Sequence, residues 1–168
     1  MARSRKDELV AWLRDAHAME MATIDNLERL IPRTDSYPQL KAQLQNHLEI
    51  SHRQVREVKA QLERLGADTS TLKDWAMRFT GRFEVLLVSF TRDELPKNCI
   101  VAHAWEAFEV AAYSAMLGAA EELNMPELLD MCERFIQEER EMADFLANHL
   151  PAITRQYLQH YAPAEVGA

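Results

Sequence analysis

The stretch His47-Leu-Glu-Ile-Ser-His-Arg-Gln-Val55 places a carboxylate and an imidazole three residues apart, at Glu49 and His52. Its surroundings lack glycine and are rich in helix-forming residues, so we expect a helix here. Residues three apart lie on one face of a helix. A Glu and a His that point together into a helical bundle are what one helix contributes to a carboxylate-bridged metal pair. A solvated pair on a surface helix has the same spacing, so the other helices must decide between the two.

The composition predicts one globular domain that is rich in helix. The chain has 168 residues, 48% of them hydrophobic and 27% charged, with only 4 Gly and 6 Pro. These values are ordinary for a globular domain, and so few turn residues favour long helices. The formal net charge of -8 argues against nucleic acid as a main partner, because phosphate binding requires a positive face.

The cysteines and the first residues predict a cytoplasmic protein. Cys99 and Cys132 have no CxxC spacing and are typical of small buried hydrophobic residues in a reducing compartment. No uncharged apolar stretch follows the basic residues 2–6, so we expect no signal peptide. No run of 18 apolar residues is present, so we expect no membrane span.

Helical periodicity predicts four long helices in a single domain over residues 1–168, with its core at about 5–150. The predicted helices are A at about 5–31, B at about 37–65, C at about 95–123 and D at about 126–149. A crossover at 67–98 should contain short helices at 72–79 and 83–90, and about thirty residues can join two parallel helices. Pro151 should end or kink helix D, which leaves a short final helix within the tail at 151–168.

Each predicted apolar stripe includes a glutamate where a leucine would be expected. The acids are Glu20 in helix A, Glu49 beside His52 in helix B, Glu109 in helix C and Glu139 in helix D. Four unpaired buried carboxylates would destabilise a domain whose total stability is about 5–15 kcal/mol. Either the acids lie at the solvent-exposed edges of wide stripes, or cations neutralise them.

Carboxylates with an imidazole are suitable ligands for iron, most simply as a di-iron pair, or for manganese. In this hypothesis Glu49 and Glu139 bridge the two ions, and Glu20, His52 and Glu109 are terminal ligands. A symmetrical di-metal bundle has a second Glu-x-x-His, but helix D has Met142 at the expected histidine. Four further residues could contribute a ligand or a hydrogen bond, namely Glu106, His103, Glu138 and Tyr113.

Four motifs together resemble those of the YciE/YciF family of small bacterial ferritin-like proteins. They are Asp15-Ala-His-Ala-Met-Glu20, His47-Leu-Glu-Ile-Ser-His52, Phe108-Glu-Val-Ala-Ala-Tyr113 and Glu138-Glu-Arg140, and their order matches over about residues 7–148. The resemblance implies an all-α, ferritin-like four-helix bundle with a long crossover between helices B and C. It also implies a homodimer with a di-metal site and a ferroxidase or stress-related role, for which O2 or peroxide would be the oxidant.

An alternative hypothesis is a metal-free helical bundle that dimerises or binds a partner through the apolar segment 83–90. In that case the four acids lie at exposed edges of their helices. The resemblance is to small dimeric proteins, which disfavours a third hypothesis, an iron store of 24 subunits.

Overall fold

The computed structural model describes residues 4–70, 72 and 94–161. Four long helices account for most of these residues, and a short 3-10 turn at Ile31–Arg33 follows the first of them. The helices are α1 (Arg5–Leu30), α2 (Pro38–Arg64), α3 (Leu95–Glu122) and α4 (Pro126–Tyr161). The predicted all-helical four-helix fold is confirmed. The predicted short helices at 72–79 and 83–90 lie outside the described residues, except for the helical and buried Leu72.

Local signals in the sequence set where these helices begin and end. The Ser4 hydroxyl accepts a hydrogen bond from the Asp7 backbone N–H at 3.1 Å, and Asp7 accepts one in return from the Ser4 backbone. This capping box satisfies N–H groups that have no partner within the helix. At the end of α2, Gly66 has a φ of +67°, which glycine adopts without a steric cost.

The connections and one ion pair define the topology of the bundle. Residues 31–37 and 123–125 are short links, so α1 and α2 form one antiparallel pair and α3 and α4 form another. Arg5 at the start of α1 contacts Glu122 at the end of α3 at 3.0 Å, so these two helices are also antiparallel. Consequently α2 and α3 run parallel, which agrees with the direction predicted for two helices joined by a long connection.

Two apolar clusters fill the bundle, and a layer of buried polar side chains separates them. One cluster includes Leu13, Leu62, Leu128 and Phe135, all fully buried. The other lies toward the link between α1 and α2 and includes Leu30, Leu40, Leu44, Leu146 and Ile153. Burial of the apolar clusters stabilises the fold. Burial of the polar layer is costly, so this layer is a candidate for a functional site.

Helix α4 continues through Pro151 to Tyr161, so the predicted break and the separate final helix are wrong. A proline in a helix interior removes one backbone hydrogen bond and crowds the preceding turn. Beyond it, Ile153 is 5% exposed and Tyr157 packs on the same apolar cluster. Burial of these side chains offsets the local cost of the proline and keeps the segment helical.

Candidate metal centre

All four helices contribute a potential metal ligand to the polar layer. The side chains are Glu20 from α1, His47 from α2, Glu106 and Glu109 from α3, and Glu139 from α4, and none is more than 2% exposed. We call these five residues the Glu/His cluster. Ligand atoms of four of them, all except Glu20, lie within 4.8 Å of one another. Such spacing would allow a single ion, or a closely spaced pair, to contact them together.

The imidazole of His47 points its Nε2 atom at two of the carboxylates. Nε2 lies 3.1 Å from Glu106 Oε2 and 3.3 Å from Glu139 Oε2. Both contacts are at ion-pair distance, and by strict hydrogen-bond geometry Nε2 has no partner among the described residues. A nitrogen with this surrounding is suited to binding a cation placed between the three groups.

Three carboxylates of the cluster each have one oxygen held by a neutral donor. Tyr113 donates to Glu20 Oε1 at 2.5 Å, Thr23 to Glu109 Oε1 at 2.6 Å, and Gln54 to Glu139 Oε1 at 2.5 Å. The second oxygen, Oε2, receives no hydrogen bond from the described residues in any of the three. Outer partners that fix one oxygen and leave the other available are typical of metal-binding carboxylates.

Burial makes the charged forms of these carboxyl groups unfavourable when no cation is bound. Burial raises the pKa of Glu106 to about 7, against the lowering effect of His47. Burial and the nearby acids also raise the pKa of Glu20 and of Glu109 well above the usual value of 4.5. For His47 burial lowers the pKa, but Glu106 and Glu139 outweigh it and the pKa is raised well above 6.5. The cluster therefore has to be neutralised by protons or by cations.

The donor set fits a hard or borderline metal ion. Buried carboxylates without partners are costly, whereas four carboxylate oxygens and one imidazole nitrogen together can bind iron or manganese. Each of the five residues has one such buried atom without a hydrogen-bond partner in the described part of the chain. The buried cluster is therefore compatible with a metal site.

Most of the acids predicted from the sequence are brought together in the cluster. Glu20, Glu109 and Glu139 are fully buried on three different helices. Glu106, predicted only as an additional ligand, is also a member. Tyr113, predicted as a hydrogen-bond donor near the site, is fully buried and donates to Glu20.

The prediction that Glu49 and His52 face the bundle interior is wrong. Both residues are exposed on the outer side of α2, so they are separated from the cluster. The interior side of α2 instead carries His47, Ser51 and Gln54. Leu48 and Val55 are the more apolar residues of this part of α2, but they lie at its flank because the interior is polar at the level of the cluster.

A signal for His47 was nevertheless present in the sequence. His47 lies three residues after Leu44 and four before Ser51, which in turn lies seven before the buried Val58. This spacing has the same helical period as the predicted stripe, and Gln54 continues it two turns after His47.

The two other predicted contributors have different partners. His103 is half-buried, and its Nδ1 lies 3.0 Å from the Ala143 carbonyl oxygen. Glu138 is half-buried and accepts a hydrogen bond from Arg53 at 2.6 Å and another from Gln54 at 3.1 Å. Glu138 therefore holds Gln54, which in turn donates to Glu139 of the cluster.

Comparison with known proteins identifies the family. Residues 4–159 match the family model for a domain of unknown function, DUF892. The chain belongs to the DUF892 family. This membership, together with similarity to the Escherichia coli stress protein YciF, confirms the family relationship predicted from the sequence.

Solved structures related to this DUF892 chain share its fold over most of its length. A protein from Xanthomonas campestris pv. campestris is 29% identical with a TM-score of 0.79, covering 94% of this chain and 99% of its own. E. coli YciF is 18% identical with a TM-score of 0.71, covering 92% and 99%. A two-domain Anabaena variabilis protein with DJ-1/ThiJ/PfpI-like and ferritin-like domains is 14% identical with a TM-score of 0.68, covering 99% and 42%. The fold of the DUF892 chain is therefore ferritin-like.

Two further properties of this DUF892 chain concern membrane-spanning helices and the two cysteine residues. Among the residues described, no helix is long and apolar enough to span a bilayer. Cys99 and Cys132 are buried free thiols, and burial raises the pKa of each to about 12. Such thiols are poor nucleophiles, which argues for a packing role.

Proposed function

We propose that this protein is a non-haem di-metal carboxylate protein that binds two iron ions in the Glu/His cluster and has ferroxidase-type activity. The observation that carries the proposal is the set of buried ligand atoms without hydrogen-bond partners, one from each of the five cluster residues. All four helices contribute to this set, which is how ferritin-like bundles build a di-metal site.

Charge balance supports a pair of ions rather than one. The cluster contains four carboxylates and one imidazole, so with a neutral imidazole its charge when ionised is -4. Two divalent cations neutralise this charge, whereas one would leave two buried carboxylates that still need protons. Because unpaired buried charges are costly, we expect two ions per chain.

The ligand types favour iron, with manganese as the second choice. Carboxylates and a single imidazole suit these ions better than zinc, which is usually bound tetrahedrally by cysteine and histidine. When bound, iron would supply the one-electron redox chemistry by which O2 or peroxide is reduced. The protein would hold the ligands in place through Tyr113, Thr23 and Gln54, and the two apolar clusters would exclude water.

Anaerobic titration with Fe(II), followed by exposure to air or peroxide, tests the proposal. We expect saturation at two ions per chain and an absorbance that develops on oxidation. Glu109→Gln should lower the stoichiometry or the affinity, while the matched control Glu49→Gln on the exposed side of α2 should leave both unchanged. Absence of binding by the unmodified protein would overturn the proposal.

The metal-free alternative makes a different prediction for the same residues. If no ion binds, Glu109→Leu should stabilise the bundle, because it replaces a buried acid with an apolar side chain. If a metal pair binds, the same change should lower the thermal stability of the loaded protein relative to the unmodified one. The segment 83–90, through which the alternative was predicted to dock, lies outside the described residues.

The proposed biological setting is iron handling or stress response in the cytoplasm, as a homodimer. E. coli YciF is a stress protein, and its similarity to this chain supports a related role. The buried free thiols of Cys99 and Cys132 are in keeping with a reducing compartment. Neither nucleic acid nor membrane is proposed as a partner, in view of the net charge of -8.

A further inference from the structure

Trp105 and Thr23 form a buried hydrogen-bond chain that ends on a carboxylate of the Glu/His cluster. The indole Nε1 of Trp105 donates to Thr23 Oγ1 at 2.7 Å, and Thr23 Oγ1 donates to Glu109 Oε1 at 2.6 Å. Trp105 is 7% exposed and Thr23 is 2% exposed, so water competes little for either bond. This chain of hydrogen bonds runs from α3 to α1 and back to α3.

The chemistry of the donors fixes the direction of this chain. An indole N–H can only donate, so the Thr23 oxygen must accept from Trp105. A hydroxyl has a single hydrogen, and Thr23 can then direct its hydrogen at Glu109. Glu109 Oε1 is therefore an acceptor, and one of its lone pairs is engaged by Thr23. The other oxygen, Oε2, has no hydrogen-bond partner among the described residues.

The Thr23 hydroxyl has a second acceptor within reach, and the distances show which one is favoured. Its oxygen lies 3.3 Å from the Met19 carbonyl, the usual partner of a threonine within a helix. The contact with Glu109 is 0.7 Å shorter, so the single hydroxyl hydrogen is better placed for the carboxyl oxygen than for the carbonyl. Trp105 occupies a lone pair of the hydroxyl oxygen and thereby restricts its rotation toward the carbonyl.

We propose that Thr23 and Trp105 are positioning residues, which hold Glu109 by Oε1 and so keep Oε2 available to bind metal. This inference rests on the proposed function, since it presupposes that metal binds in the cluster. It assigns a role to two residues that have no ligand atom of their own in the site. Without the hydroxyl, Glu109 would be free to rotate and to offer both oxygens to one ion.

The first test compares Thr23→Val with Thr23→Ser, using Co(II) as a spectroscopic probe and Mn(II) for affinity. Valine keeps the shape of threonine without the hydroxyl, and serine keeps the hydroxyl. We expect Thr23→Val to weaken metal binding by about 10–100-fold, the usual cost of removing an outer partner, and to alter the visible Co(II) spectrum. Thr23→Ser should retain the affinity and the spectrum of the unmodified protein.

A control separates this role from the loss of any threonine hydroxyl that donates to a carbonyl within its own helix. Thr154 in α4 donates to the Leu150 carbonyl at 2.9 Å, a contact outside the cluster. Thr154→Val should leave the Co(II) spectrum and the Mn(II) affinity unchanged. Circular dichroism of each variant shows whether it is folded.

The second test asks whether Trp105 acts through Thr23. Trp105→Phe removes the indole N–H and should weaken Mn(II) binding by about 2–10-fold, in line with the loss of one hydrogen bond. In a protein that already has Thr23→Val, the same change should have no further effect, because the chain is already broken. Equal effects in both backgrounds would show that Trp105 does not act through Thr23 and would overturn its part of the proposal.

The outcomes distinguish failure of this inference from failure of the proposed function. If the unmodified protein binds neither Co(II) nor Mn(II), the proposed function fails. If it binds both ions and Thr23→Val has the same affinity and spectrum, only the positioning role fails. If Thr23→Ser weakens binding as much as Thr23→Val, retaining the hydroxyl does not preserve the site and the positioning role also fails.

Discussion

His47 and His52 lie five positions apart in the same helix, yet the first is 1% exposed and the second is on the outer surface. At the scale of the residue, it is the surroundings of the side chain that decide whether it can bind a metal. His47 has two carboxylates within 3.3 Å of its Nε2 atom. His52 retains the spacing to Glu49 expected of a ligand pair but is outside the cluster.

Substituting each histidine by alanine should separate their roles. His47→Ala should weaken Mn(II) binding by at least about 100-fold, since loss of a direct ligand exceeds the 10–100-fold cost of losing an outer partner. His52→Ala should change binding by less than about twofold, as most surface substitutions do. Isothermal titration calorimetry measures both, and equal losses in the two variants would contradict the assignment.

The buried acids should make the metal-free protein less stable as the pH rises. The pKa of Glu106 is raised from 4.5 to about 7, so between these values the folded state binds more protons than the unfolded state. The stability that Glu106 contributes is fully present below pH 4.5, the pKa of the unfolded state, and is lost as the pH passes about 7. The change in the free energy of unfolding is on the order of 3 kcal/mol. The raised pKa values of Glu20, Glu109 and His47 act in the same direction.

Thermal melts in chelator at about pH 5 and about pH 8 test this linkage. The melting temperature should be lower at the higher pH, and Glu106→Gln should reduce the difference. With saturating Mn(II) the loss should disappear, because cations replace the protons and bind more tightly as the pH rises. A melting temperature in chelator that increases with pH would contradict the prediction.

At the scale of the element, α2 is rotated relative to the orientation expected from its most apolar stripe. Neighbouring positions in a helix differ by about 100° around its axis, so a shift of one position exchanges the interior and the flank. His47, Ser51 and Gln54 are all fully or almost fully buried, while Leu48 and Val55 are half-buried. The partner helices supply a polar interior at this level, and the polar side of α2 turns toward it.

Pro151 gives a test of how α4 is held together. Pro151→Ala restores a backbone N–H that can donate within the helix and removes the steric conflict with the preceding turn. We expect an increase of about 1–3 kcal/mol in the free energy of unfolding, measured by urea denaturation. Pro126→Ala, at the first position of the same helix, should change it by less than about 0.5 kcal/mol, because proline is tolerated there. An unchanged or lower stability for Pro151→Ala would mean that the proline costs the helix nothing.

At the scale of the whole molecule, the outer side of α3 is unlike the rest of an acidic surface. From Ile100 to Gly118, every exposed residue of this helix is uncharged. Phe108 and Trp12 are 37% and 43% exposed and border a groove of about 170 Å³ between α1 and α3. An exposed uncharged face that includes large apolar side chains is typical of a surface that contacts another protein. Two copies with a net charge of -8 each would meet most readily on this uncharged face.

Phe108→Glu should therefore convert the proposed homodimer into a monomer. The change places a charge at the centre of the uncharged face, where a second copy would have to bury it. Asn148→Glu adds the same charge to an exposed position of α4 and should leave the dimer intact. Sedimentation velocity measures the state of each variant, and a monomeric unmodified protein would contradict the prediction.

Local sequence patterns predicted much of the fold, but they predicted only part of the Glu/His cluster. The predicted starts and ends of α1, α2 and α3 agree with the structure within about two residues, the usual uncertainty of helix boundaries. Glu20, Glu109 and Glu139 stood out as acids on apolar stripes, and all three are buried. His47 was missed because two stripes of α2 have the same period, and the period does not tell which one faces the interior.

The sequence by itself determined the four long helices, the capping of α1 and the presence of acids inside the bundle, because these depend on side chains a few positions apart. Only the tertiary structure decided that His47, and not His52, faces the interior and that Glu106 belongs to the cluster. It also decided that Trp105 is linked to Glu109 by hydrogen bonds through Thr23. These outcomes depend on the rotation of each helix about its axis. That rotation is set by the packing of all four helices together, including polar contacts between residues more than eighty positions apart.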